Sequence, residues 1–360
     1  QADGVVLGHV FRLMTRGARI KDKTDAEGTV IKLPNEANGL AMVFRTFDKV
    51  SYALILEAKE GVKVGDAILS PDYRPKAQRP PQLLPMTKQE LRDWIQLTAT
   101  PGLGNTAIRR LLTRFGLPAN ILQQSQATLE SVVSPAQAKA LLTPTDSLVA
   151  LQTSTWTWLN SAPAPLVRHI IVLGDADYPA RLLETADPPV LLYLTGHSRW
   201  FGADQRLLQW PDKALAMVGS RNPTAQGQSN AHAFAKALSA MQTTIVSGMA
   251  LGIDTAAHQG ALEASGTHPA TIAVIGTGID RVYPKHNHAL AKQIAEQGWI
   301  VSEYHLGTPP LAQNFPKRNR IISGLTLGTL VVEAAPESGS LVTARLASEQ
   351  GREVFAIPGS

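Results

Sequence analysis

Thr243-Thr244-Ile245-Val246-Ser247-Gly248-Met249-Ala250-Leu251-Gly252-Ile253-Asp254-Thr255-Ala256-Ala257-His258 is the stretch that decides the fold. A short apolar run rich in β-branched residues breaks at a glycine turn and passes directly into a helical pattern. The same unit recurs on both sides of it. Candidate strands fall at 169–173, 190–194, 214–218, 243–247, 271–275, 299–302, 329–333 and 353–357, with helical stretches at 227–241, 254–265, 287–297 and 340–350. Apolar strands joined by helical crossovers predict a mainly parallel sheet covered on both faces, an α/β Rossmann-like domain over residues 165–360.

Upstream the texture changes. Residues 87–160 read as helical, and Thr100-Pro101-Gly102-Leu103-Gly104-Asn105-Thr106 is a glycine turn leading into a helix that carries Arg109 and Arg110. Such a turn either holds a DNA phosphate on its amides, as in helix–hairpin–helix modules, or simply joins two helices of a small bundle. A single hairpin favours the plain joint. Residues 74–86 hold four prolines between Arg74 and Pro85 and read as a linker. Residues 1–73 read as short strands, with Leu40–Phe44 and Tyr52–Leu56 the clearest.

Composition narrows the chemistry. With 44% hydrophobic and 18% charged residues, the chain can bury real cores. No cysteine is present, which excludes disulfides, thiolate metal sites and a cysteine nucleophile. No apolar run approaches the roughly 20 residues of a membrane span, and the first residues do not read as a signal peptide, so no membrane association is expected. The net charge is +5, but residues 211–360 carry eleven cations against ten carboxylates. Nucleic-acid binding there would need a local cluster, because the overall charge supplies little steering.

Four glycine turns follow candidate strands, where open α/β sheets place ligands. They are Gly219-Ser220-Arg221, Ser247-Gly248 through Gly252, Gly276-Thr277-Gly278, and Ser338-Gly339-Ser340. Glycine lets the backbone approach an anion, and a following helix N-terminus adds free N–H groups. Between the third and fourth turns lies Asn314-Phe315-Pro316-Lys317-Arg318-Asn319-Arg320. Three cations beside an aromatic suit a phosphate backbone with stackable bases, and they equally suit ion pairs within the domain.

Enzyme signatures are weaker. No Walker A pattern occurs, Arg281 stands where a dinucleotide fingerprint needs glycine, and Gly-x-Ser-x-Gly is absent. A Ser247/Asp254/His258 triad is conceivable, but Asp254 reads better as a helix-start residue that orders its loop. The nine histidines show no ligand spacing, so no metal is predicted.

The run from Gly219-Ser220-Arg221 through Ser247–His258, Phe315–Ile322 and Glu337–Ser340, with Tyr178-Pro179 and Asp187–Gly196 upstream, resembles the DNA-processing protein A family (DprA, also called Smf) over about residues 86–360. The resemblance implies a cytoplasmic, non-enzymatic mediator without a cofactor. It would bind single-stranded DNA during natural transformation and load the RecA recombinase onto it. It also implies a sterile-alpha-motif-like helical domain, an extended Rossmann fold that dimerises, and a DNA pocket lined by Arg221, Lys317, Arg318 and Arg320. Two departures stand out. The chain ends just after a strand, where members of the family continue, so it is expected to be truncated there. Residues 1–73 have no counterpart in the family and resemble the tail of a LysM-type cell-wall-binding protein, so an accessory domain and a joined reading frame are both open. A second resemblance, to phosphoribohydrolase-type Rossmann enzymes, rests on Gly328-Thr329-Leu330-Val331-Val332-Glu333, although Ile322-Ser323-Gly324-Leu325 replaces their Pro-Gly-Gly turn.

Overall fold

The computed structural model describes residues 86–200, 208, 210–264, 266–335 and 338–358, and upstream of them the backbone of six strands. These are β1 (Val10–Thr15), β2 (Arg19–Lys21), β3 (Val30–Lys32), β4 (Glu36–Thr46), β5 (Ser51–Ala58) and β6 (Ala67–Leu69). β5, β4, β1 and β6 pair antiparallel in that order, and β2 pairs with β3. The clearest strands expected from the sequence lie inside β4 and β5. The proline-rich linker falls outside the described residues, apart from Met86.

The chain divides into two compact units, Gln1–Leu84 with Thr106–Leu142 and Pro85–Asn105 with Thr143–Ser360. Six helices follow the strands: α1 (Lys88–Ala99), α2 (Asn105–Phe115), α3 (Pro118–Leu122), α4 (Gln126–Leu129), α5 (Pro135–Leu142) and α6 (Asp146–Asn160). The helical segment expected at 87–160 is therefore shared between the units. In the first, α2 buries Ile108, Leu111, Leu112 and Phe115, one face of a 3.6-residue period. In the second, α1 opens on a capping box, Thr87 Oγ1 accepting from Glu90 N at 3.2 Å and Glu90 Oε2 from Thr87 N at 2.7 Å. It packs on α6, where Gln152 Nε2 donates to Arg92 O at 2.9 Å.

The rest of the second unit runs β7 (Leu166–Val172), α7 (Ala180–Leu183), β8 (Leu191–His197), β9 (Ala214–Val218), α8 (Ala225–Ala240), β10 (Thr244–Ser247), α9 (Ile253–Leu262), β11 (Thr271–Val274), α10 (His288–Gln297), β12 (Trp299–Ser302), α11 (Asn314–Gly324), β13 (Gly328–Val331), α12 (Gly339–Glu349) and β14 (Glu353–Ala356). The strands form one sheet in the order β14-β13-β9-β10-β11-β12-β8-β7. Neighbours from β14 to β12 are parallel, and β8 runs antiparallel to both β12 and β7. This is the mainly parallel sheet the sequence predicts, and each of its eight strands overlaps an expected one. Two helices of this unit lie outside the expected stretches, the four-residue α7 and the longer α11. In α11, Pro316 sits in the first turn, where a missing N–H is harmless, so the proline does not stop the helix.

Strand order positions the site. From β9 the chain steps outward through β10, β11 and β12, then returns to lay β13 on the other side of β9. The order reverses between β9 and β13, and such a switch point opens a crevice at the carboxyl ends of the strands. Small side chains let the covering helices sit close. Ala231 and Ala235 of α8 and Ala256, Ala257 and Ala261 of α9 join Met217, Ile245 and Leu330 in one core cluster.

Candidate nucleic-acid interface

At that crevice lies a cleft of about 710 Å³. The turn after β9 contributes Gly219, Ser220, Arg221 and Asn222, and α11 contributes Phe315, Arg318 and Asn319. Ser338, Gly339 and Ser340 bring in the N-terminus of α12, and Tyr283 enters from the turn after β11. Arg221 is exposed, and its guanidinium lies over the half-buried Phe315 ring, 5.8 Å from the centroid. No carboxylate among the described residues pairs with Arg221.

The glycines of the turns serve a different purpose from the one expected. They let the turns pack on one another instead of opening them to an anion. Gly252 sits at φ +79°, and a Cβ there would lie 2.4 Å from Ser220 O. At Gly248 a Cβ would lie 2.2 Å from the Arg318 guanidinium. Gly219 is closed off by Ile253 and Glu333, and Gly276 by the Phe315 ring. Only Gly339, among the expected site glycines, faces open space. Ser247, Gly248, Gly252 and Gly276 are not among the residues lining the cleft, and Ser247 Oγ donates to Met217 O at 2.7 Å.

The three basic residues of α11 are sent different ways by helical spacing, which corrects the expectation that all three line the pocket. Arg318 is 4% exposed. Its Nη1 donates to Gly248 O at 2.6 Å and to Val274 O, and its Nε to Asn319 Oδ1 at 3.0 Å. It therefore ties α11 to the ends of β10 and β11. Arg320 meets Glu303 through two bonds, of 3.1 and 2.6 Å, and Asp187 through Nε at 3.0 Å. Burial works against the charge on Arg320, and these two carboxylates more than reverse that, leaving its pKa raised. Lys317 is exposed, with Nζ 4.0 Å from Glu303 Oε1. Neither Lys317 nor Arg320 lines the cleft.

Asp254 orders its loop as its position suggested, its carboxylate accepting from the N–H groups of Gly248 at 3.2 Å and Ala250 at 3.3 Å. Burial pushes its pKa up, and the nearby Arg318 opposes that shift. Ser247 hydrogen-bonds the Asp254 carboxylate, but His258 is fully buried against Thr271 Oγ1 at 2.7 Å, so the three residues do not form a relay. Glu333, the glutamate of the phosphoribohydrolase-like segment, accepts from Thr224 N and from Thr224 Oγ1 at 2.6 Å, while its backbone O accepts from Ser220 N at 2.7 Å. It braces the β9 turn. Among the described residues no group of three or more His, Asp or Glu is placed to hold a metal, and no helix is long and apolar enough to cross a membrane.

The model of the family described as DNA recombination-mediator protein A matches residues 169–360. The chain belongs to this family. It is 42% identical over 272 residues to Protein Smf of Escherichia coli K12, covering 74% of this chain and 66% of that one. It is 47% identical over 189 residues to DNA processing protein DprA of Streptococcus pneumoniae, covering 52% and 62%. The match thus spans just under two thirds of each relative's length. The X-ray structure of DprA from Streptococcus pneumoniae superposes with a TM-score of 0.59 at 34% identity, over 77% of this chain and 88% of that chain.

For this recombination-mediator family member, sequence reasoning passed over two residues. Tyr283 was legible only as an aromatic following the third turn. Glu303 directly follows β12, a strand-end carboxylate whose pairing with Arg320 no spacing rule reveals.

Proposed function

We propose that this protein binds single-stranded DNA in the cleft and acts as a non-enzymatic mediator in DNA processing. The observation that carries the reading is the exposed Arg221 guanidinium over the Phe315 ring at a sheet switch point. A cation and aromatics together, with the positive end of the α12 dipole beside them, provide what a phosphate backbone with unpaired bases needs. Membership of the recombination-mediator family supports the same conclusion. Natural transformation as the setting, RecA as the partner that receives the DNA, a homodimer as the working form and the cytoplasm as the compartment follow from the family resemblance.

The phosphoribohydrolase reading finds less support, since Glu333 is engaged in bracing the β9 turn. Fluorescence anisotropy with labelled oligo-dT tests the proposal. Affinity should fall steeply between about 50 and 200 mM salt and show no sequence requirement. Salt-insensitive binding, or a preference for duplex, refutes it. Release of free base from nucleoside monophosphates would establish the enzymatic reading instead.

A further inference from the structure

Phe315 has little free surface to offer a base. Gly276 lies against its edge, Arg221 lies over its ring, and Tyr283 is 5.5 Å away centroid to centroid at an interplanar angle of 36°. Tyr283 shares that ring contact but is otherwise open. It is 47% exposed, it lines the cleft, and no hydrogen bond holds its side chain among the described residues. Its backbone is already ordered on both sides, Arg281 N donating to Gly278 O at 2.9 Å and Asn287 N to Pro284 O at 3.0 Å. Asn287 Nδ2 ties the segment to Met249 O at 3.0 Å and Thr255 Oγ1 at 2.9 Å.

Sheet order separates the two chemistries across the cleft. Tyr283 follows β11, while Gly339 and Ser340 follow β13, so β9 and β10 lie between them. Three strand spacings make roughly 14 Å. Tyr283, Phe315, Pro310 and Pro316 give one flank an apolar character, and the other flank is built from Ser338, Gly339 and Ser340. Arg221, on the turn between them, reaches the apolar flank through Phe315.

From this we infer that Tyr283 is the base-stacking platform of the cleft. An unpaired base lies on its ring while the sugar–phosphate backbone runs toward Arg221 and the α12 N-terminus, and Phe315 supports both neighbours from beneath. The inference rests on the cleft being a DNA site. It takes an unpaired nucleobase of any identity, because every base has a π-face.

The test compares oligo-dT with an abasic oligonucleotide of the same length, which keeps the phosphates and lacks the bases. Tyr283→Ala should lose about five- to a hundredfold in oligo-dT affinity and keep its affinity for the abasic strand. Tyr283→Phe should rescue most of that loss, and the melting temperatures of both variants should match the parent. Equal losses on the two strands, or no loss on oligo-dT, overturn the inference. A parent protein that binds neither strand overturns the DNA reading itself, so the two failures are distinguishable.

Discussion

Arg318 separates a binding role from a bracing role. Arg318→Ala removes the donors to Gly248 O and Val274 O and takes away the cation nearest the buried Asp254 carboxylate. Each carbonyl left without a partner costs about 1–3 kcal/mol. Breaking up buried charge by deleting one member typically costs about 3–5 kcal/mol. These effects overlap, because the same guanidinium serves all three groups, so a total of about 3–5 kcal/mol is expected. In a unit of this size that corresponds to a fall of about 6–20 °C in melting temperature. Arg318→Lys should fall between, since one ammonium cannot reproduce a planar fork reaching two carbonyls. Thermal and urea unfolding followed by circular dichroism provide the measurement. A variant that melts with the parent while losing oligo-dT binding would show Arg318 to be a direct phosphate ligand and would refute the bracing account.

Arg221→Ala should behave in the opposite way, with an unchanged melting temperature, a loss of about 1.5–3 kcal/mol in oligo-dT binding and a salt slope shallower by about 0.7, all read by anisotropy across a salt series. Arg320→Ala leaves the buried Glu303 with only Lys317 at 4.0 Å and should destabilise the protein in urea unfolding by up to about 3–5 kcal/mol, while the salt slope of whatever binding survives stays that of the parent. Gly248→Ala forces the Arg318 guanidinium aside and should reproduce part of the Arg318→Ala instability. His258 has its pKa lowered to about 3 by burial, with Arg318 adding to the shift. The unfolded chain therefore takes up a proton near pH 6.5 that the folded chain refuses. Stability from this group is complete above that pH and lost as pH falls, by about 1.4 kcal/mol per pH unit. Unfolding free energies from urea titrations between pH 7 and 5 should fall less steeply in His258→Gln than in the parent, the remaining slope coming from the other histidines that burial shifts down, His197, His268 and His305.

The strand ladder was legible because its strands are short apolar runs closed by glycine turns, a pattern that burial on both faces imposes. Strand direction was harder to read. β8 and β7 form an antiparallel pair, and only the four-residue α7 stands between them, so the missing crossover helix was the available clue. The cluster of cations on α11 misled for a physical reason. Arg320 finds its carboxylates 17 and 133 residues away in the chain, and pairings that distant leave no trace in local spacing. The glycines were read correctly as close-approach positions, but what approaches at Gly248 and Gly252 is the protein itself.

That self-contact has a thermodynamic consequence. With the β9 turn braced by Glu333, the β10 loop by Asp254 and α11 by Arg318, the turns around the cleft are held in place by the chain's own contacts. A mould of this kind loses little conformational entropy on binding, so in the proposed complex the ordering cost falls on the nucleic acid. A strand that is limp in solution can be laid into the mould without first being unstacked, whereas a strand already coiled by its own purine stacking must surrender those contacts. Binding in the proposed complex then requires no particular base, and a modest bias toward oligo-dT over oligo-dA reflects only the stiffness of the guest.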